Sequence, residues 1–172
     1  MQAHKRTAAA VVGSDAGHCA VFDSRSGQLE WLWQGEVAPL SDVALVPSPE
    51  LCSIVIAATD GQLLLLDMRR SGEAAVLAKV AGDTALSCVE TDGNSAIAGA
   101  ASGGLLVWNL DPAAEQTVKD SELGIPCTGA GLAFRVPLAT GAVQCVSVDR
   151  SDGQWLLAAG HEDGVISVSV IE

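Results

Sequence analysis

Four stretches of the chain repeat one pattern: an apolar run of strand length, a turn containing glycine, and a second apolar run. They are Ala8–Asp23, Ile54–Asp67, Ser95–Asn109 and Trp155–Val170. Their turn glycines, Gly17, Gly61, Gly103 and Gly164, are spaced by 44, 42 and 61 residues, the last interval being one period plus an insertion. A sheet-forming unit that recurs about every 40–45 residues cannot bury its apolar faces alone and must stack on its neighbours. That is the sequence mark of a blade in a β-propeller. The period therefore predicts an all-β fold and a general class of function, the holding of other molecules.

Each repeat parses into strands a to d, from the inside outwards. In the last repeat Val143–Val148 is strand a, Trp155–Ala159 strand b and Val165–Val170 strand c, with turns at Asp149–Gly153 and Glu162–Gly164. The third repeat gives Ala85–Val89, Ala96–Gly99 and Leu105–Leu110, and the second gives Val43–Val46, Cys52–Ala57 and Gln62–Asp67. Strand d is fainter, at Leu29–Trp33, Ala75–Val80 and Gln116–Val118. Apolar residues run in short blocks or alternate, without helical spacing. Blocks bounded by Gly and Asp fit strands buried on both faces.

These residues resemble the WD-repeat family over most of the chain, outside Met1–Thr7 and about Ser121–Thr140. Val143–Val170 is similar to the family's core of strand, Ser-Asp-Gly turn, strand, acidic-Asp-Gly turn and strand. Leu106–Asn109 resembles the signature dipeptide, with Asn109 in place of Asp, and Phe22-Asp23 and Leu66-Asp67 occupy the same place. No repeat carries Trp-Asp, no Gly-His precedes a strand a, and Gly160-His161 falls in the b–c turn. The family's buried Asp-His-Ser/Thr-Trp network is therefore not assembled in any blade. The repeats are divergent, and a quinoprotein-like or other propeller is the alternative.

The expected organisation is an N-terminal extension at 1–7 and a partial β-propeller at 8–172. Its blade parts are 8–34, 41–80, 84–119 and 141–172, with an inserted loop at 121–140. This amounts to about three and a half blades, against roughly four to eight in a ring. An incomplete ring leaves two blade faces and two strand edges bare. Three explanations are open: part of a longer propeller, completion by another chain or a second copy, or a small irregular β fold.

Net charge is −12, and only Lys5-Arg6 and Arg69-Arg70 put basic residues side by side. Direct nucleic-acid or anionic-lipid binding is therefore disfavoured. No apolar run approaches the roughly 18–20 residues of a membrane helix, so no membrane insertion is expected. The first residues also lack the apolar stretch of a secretory signal. Cys19, Cys52, Cys88, Cys127 and Cys145 form no CxxC, and most lie among Val, Leu and Ala. They read as buried reduced thiols of a cytoplasmic protein, with a nuclear one as the alternative. Neither Cys nor His clusters at ligand spacing, so no metal or cofactor is expected.

The resemblance implies that b–c and d–a loops share one rim while a–b and c–d loops share the other. The first rim then collects Asp15, Asp60, Glu162 and Asp163 with Glu36, Asp42, Asp83, Asp120 and Glu122. The second mixes Arg25, Arg69, Arg70 and Arg150 with Glu50, Asp92 and Asp152. An acidic rim would steer and seat a basic peptide or domain through Asp42, Asp60, Asp83, Glu162 and Asp163. The competing reading is that Asp favours tight turns by accepting hydrogen bonds from its own backbone. Trp31 and Trp33, two apart on a strand, share one face and suit either a partner surface or packing between blades. Phe134 and Arg135 in the insertion are further partner-binding candidates.

Catalytic signals are weak. Of His4, His18 and His161, only His161 adjoins carboxylates, at Glu162-Asp163, and no nucleophile elbow, P-loop or dinucleotide fingerprint occurs. The sequence thus predicts a non-enzymatic protein–protein interaction scaffold acting within a larger protein or multisubunit complex. Its expected partners are other protein chains, either one that completes the propeller or a basic peptide on the acidic rim. The alternative is a propeller enzyme, a hydrolase or quinoprotein-like oxidoreductase, with catalytic residues partly outside the chain.

Overall fold

The structure, a computed structural model, describes residues 9–35, 38–47, 52–81, 84–110, 124–125, 127–128, 133–138, 141–151 and 154–171. The described residues form four antiparallel sheets. The first is β1 (Ala9–Gly13), β2 (His18–Asp23) and β3 (Leu29–Gln34), in that order. The second runs from β4 (Leu40–Leu45) through β5 (Ser53–Ala58) and β6 (Gln62–Asp67) to β7 (Val76–Ala81). The third runs from β8 (Leu86–Thr91) through β9 (Ser95–Ala100) to β10 (Leu105–Asn109). Three strands follow: β11 (Gly124–Ile125), β12 (Cys127–Thr128) and β13 (Ala133–Val136). The fourth sheet is β14 (Val143–Ser151), β15 (Gln154–His161) and β16 (Ile166–Ile171).

Each sheet is a blade. Blades 2 and 3 have strands a to d, blade 1 shows b, c and d, and blade 4 shows a, b and c, in the sequence-predicted phase. The segment 121–140, expected as an inserted loop, needs correction. Within it β13 pairs with β10 as strand d of blade 3, β11 pairs with β13, and β12 adds to β7 as a fifth strand of blade 2. Gln116–Val118, expected as that strand d, lies outside the described residues, as do the 1–7 extension and Lys5-Arg6.

The core lies between the blades. Cys19, Val21 and Trp33 of blade 1 meet Ile54, Ile56, Leu64 and Leu66 of blade 2. The opposite face of blade 2, with Val55, Leu63 and Leu65, meets Ala96, Ala98, Leu106 and Trp108 of blade 3. Ile97, Leu105 and Val107 of blade 3 then meet Val143, Leu157 and Ala159 of blade 4. Because β5 and β6 are covered on both sides, their apolar runs are unbroken rather than alternating. Fully burying one such Leu or Ile contributes roughly 1.5–3 kcal/mol, so the stacking faces dominate stability.

Inner strands carry the same irregularity in three blades. The register shifts between Leu40 and Asp42, between Leu86 and Cys88, and between Val143 and Cys145. Such a bulge bends the strand and re-aims its side chains. At this level strand b holds a small residue, Gly13, Ala57, Gly99 or Gly160. A Cβ on Gly99 would sit 2.5 Å from Val143 Cγ1 and 2.6 Å from Cys88 Sγ, so glycine admits the next blade's inner strand.

Candidate functional site

The b–c turns are built alike. Gly17, Gly61, Gly103 and Gly164 all have φ between 76° and 88°. This left-handed conformation favours glycine. Each donates its N–H to the residue three before it, Ser14, Ala58, Ala100 and His161 respectively. In three blades the turn is tied to the segment preceding strand a. The N–H groups of Thr59, Ala101 and Glu162 donate to the carbonyls of Pro39, Ala85 and Ala142, at 2.9, 2.8 and 2.9 Å. The b–c turns and d–a segments therefore share one rim, fixed by main chain.

Asp15, Asp60, Glu162 and Asp163 stand exposed on that rim, and its described residues include no Lys or Arg. Asp60 Oδ1 accepts from Gln62 N–H at 3.1 Å, Asp163 Oδ1 accepts from Val165 N–H at 3.1 Å, and Glu162 Oε1 accepts from Ala142 N–H at 3.2 Å. These carboxylates order their own turns while presenting negative charge to solvent. Glu36, Asp83, Asp120 and Glu122 lie outside the described residues.

Asp42 is placed differently from the other rim candidates. It is half-buried at the bulge of β4, where Oδ1 accepts from Val43 N–H at 2.8 Å and Oδ2 from Val89 N–H of blade 3 at 2.9 Å. The one hydroxyl hydrogen of Ser87 in blade 3 is shared between the carbonyls of Gly99 and Val143, the latter in blade 4. Glu90 Oε2 accepts from Val148 N–H, again in blade 4, at 3.1 Å. Asp42, Ser87 and Glu90 thus stitch inner strands together. The sequence gives no signal for Ser87 or Glu90 in this role, because neither position stands out in a single repeat.

Trp31 and Trp33 point towards blade 2. Trp33 is buried, and its Nε1–H donates to the Gly72 carbonyl at 3.0 Å; Trp31 Nε1–H donates to the Arg70 carbonyl at 2.9 Å. Trp33 is therefore corrected from a partner-surface candidate to a packing residue, and Trp31 shares its face. Phe134 and Arg135 lie in β13 opposite Val107 and Leu106, Arg135 half-buried.

The second rim is mixed. Asp67 is buried and meets Arg69 in a fork, Nε to Oδ1 at 2.8 Å and Nη2 to Oδ2 at 2.9 Å. That hydrogen bond holds its carboxyl below the usual carboxylate range, outweighing the opposing effect of burial. Arg150 lies 3.8 Å from Asp92 and 5.8 Å from the Trp155 ring centre. Glu50 and Asp152 are outside the described residues.

His161 is buried with both ring nitrogens engaged: Nδ1 lies 2.8 Å from the Gly141 carbonyl and Nε2 3.0 Å from Ser167 Oγ. A carbonyl only accepts, so Nδ1 carries a proton, and in the neutral ring Nε2 accepts from the Ser167 hydroxyl. This binds strand b to strand c and to the d–a segment. His18 is half-buried, and His4 lies outside the described residues. Among the described residues no three His, Cys, Asp or Glu side chains gather where a metal ion could be held. Burial pushes the Cys19 thiol up to about 12 and raises Cys88 as well, leaving both protonated at neutral pH. No helix among the described residues is long and apolar enough to cross a membrane.

The chain matches no family model, and no curated protein matches it in sequence. Among solved structures it is similar to Sqt1 of Saccharomyces cerevisiae, a WD-repeat protein, with a TM-score of 0.67 at 16% identity. The match covers 94% of this chain and 40% of that one, so the chain spans less than half the length of the structure it resembles. At that identity the likeness concerns the fold alone. It agrees with the four antiparallel sheets: the chain is an all-β run of β-propeller blades.

Proposed function

We propose that the chain is a non-enzymatic protein-interaction scaffold whose acidic rim docks a basic segment of another protein. The observation that carries this reading is the joining of exposed carboxylates to a fixed frame. Asp60, Glu162 and Asp163 sit on turns whose backbone is hydrogen-bonded to the adjoining d–a segments, and the turn of Asp15 is held where the Ser14 carbonyl accepts from Leu40 N–H of β4, with no described cation among them. A fixed array of like charge attracts an oppositely charged segment and sets its register, without moving parts. Such a module works within a larger protein or complex, in the cytoplasm or nucleus, and the four sheets are its units, the third taking its outer strand from Ala133–Val136. The occupied nitrogens of His161 favour this reading over hydrolysis at that residue.

The test is fluorescence anisotropy of a labelled peptide rich in Lys and Arg. Asp60→Asn with Asp163→Asn removes two charges yet keeps a side-chain oxygen to accept from each turn. The expected result is about tenfold weaker binding for the double variant, with wild-type affinity falling as salt rises. Arg25→Glu on the other rim should leave affinity unchanged. Equal binding by wild type and the double variant overturns the reading.

A further inference from the structure

The chain takes an indirect path to strand d of blade 3. A hairpin joins neighbouring strands through about 2–5 residues, yet β10 ends at Asn109 and its partner β13 begins only at Ala133. On the way the chain pairs twice. Gly124 and Ile125 lie opposite Phe134 and Ala133 of β13, and Cys127 and Thr128 lie opposite Val80 and Lys79 of β7. β13 belongs to blade 3 and β7 to blade 2. Within five residues, then, the main chain is hydrogen-bonded to the outer strands of two different blades.

The two attachments leave no slack. Ile125 and Cys127 are two residues apart, so at most about 7 Å of extended chain separates them. The residue between them in sequence, Pro126, brings no N–H that would go unmet at a crossing. Thr128 and Ala133 are separated by four residues, so docking of β13 on β10 holds β12 close to the edge of β7. Conversely, moving blade 3 away from blade 2 pulls β12 off β7. The same seam is joined at its inner margin, where Asp42 accepts from Val89 N–H at 2.9 Å. Between the two margins it is filled by Leu63, Leu65, Leu106 and Trp108. Among the described residues no strand bridges the seams between blades 1 and 2 or 3 and 4.

We propose that β11 and β12 together form a clasp, which fastens the outer margins of blades 2 and 3 through the main chain and makes those two blades one cooperative unit. The seam between them opens only when β12 leaves β7, so an opening that starts in either blade is carried to the other. The clasp also covers part of the outer edges of β7 and β13, where bare N–H and C=O groups would invite pairing with another chain. The rim carboxylates take no part, so the clasp and rim docking stand or fall separately.

Native-state hydrogen exchange, read by mass spectrometry on the 172-residue chain, tests it. In the wild type, fragments covering β6–β7 and β9–β10 should lose protection together as denaturant rises, with one common slope. Cys127→Pro with Thr128→Pro removes both N–H groups of β12, and so whichever of them β7 receives. In that variant β7 should exchange about tenfold faster and blades 2 and 3 should open separately, while β2 and β15 keep their wild-type rates. Cys127→Ala with Thr128→Ala keeps the main chain and should behave as wild type. Independent opening of blades 2 and 3 in the wild type overturns the proposal, and that result needs no variant to fold. An unchanged β7 in the proline variant overturns it too, as does equal acceleration of β2 and β15, which would mark a general loss of stability. Uncoupling by the alanine variant would show that side chains, not the main chain, join the blades, and the clasp would be rejected.

Discussion

Asp67 shows how much one buried carboxylate does on the mixed rim. It accepts from Arg69 through both oxygens and from the Arg69 N–H, closing the turn after β6. Its carboxyl is held below its ordinary value, so its contribution is complete above the unfolded-state pKa near 3.9 and is lost as pH falls through the lower folded value. Asp67→Asn should therefore lower the melting temperature by about 2–4 °C at pH 7. Wild type and variant should converge as the pH falls below the unfolded-state value and through the lower folded value of Asp67, and differential scanning calorimetry across that range checks both the size and the sign. The place of Asp67 could be read from the sequence, since Phe22-Asp23, Leu66-Asp67 and Trp108-Asn109 align. Its Arg69 partner was less legible: Arg25 stands at the same offset after Asp23, but Asp111 takes that offset after Asn109, so the arginine does not recur in the third repeat. The turn role of Asp60 and Asp163 was likewise legible from Asp-Gly. Where Trp31 and Trp33 point was not: a two-residue spacing defines a common face but not whether a neighbouring sheet covers it.

Strands b and c were the most legible elements, because glycine turns bound them and both faces are buried. Strand d of blade 3 was the least legible. It lies well beyond β10 in the chain, at Ala133–Val136, and the short run Gln116–Val118 competes with it at the expected period. Loop length is only weakly constrained by closure entropy, so a sheet can take its outer strand from a distant segment. The inner bulges were also invisible, because they are expressed only when two strands pair. They make a specific demand on β9, where Gly99 faces the inner strand of the next blade. Replacing glycine by alanine within an open strand would normally help. Here Gly99→Ala overfills the junction and should cost about 1–3 kcal/mol. Chemical denaturation of Gly99→Ala, Val143→Ala and the double variant measures this. The expected result is non-additivity, with Val143→Ala recovering part of the loss.

At the scale of the whole molecule, a net charge of −12 is spread over a stack whose stability comes from apolar faces. Self-repulsion opposes compactness, and salt screens it. Raising ionic strength from about 0.01 M to about 0.1 M shortens the screening length from about 30 to about 10 Å and should raise the melting temperature by about 2–4 °C. An unchanged or lower value would show that local ion pairs such as Asp67–Arg69 outweigh the net charge. The fold class was legible because a period of just over forty residues admits few architectures. The identity of a docking partner is not written in that period, since many sequences fill the same blade positions. The inner stitching shows why. Asp42, Ser87 and Glu90 each reach from one blade to the main chain of the next, never to its side chains. The receiving strand therefore needs no particular amino acid at that point, only a peptide group in the right place. A repeat can change nearly all its letters and still be gripped by the one before it, which gives this architecture wide room for evolutionary drift.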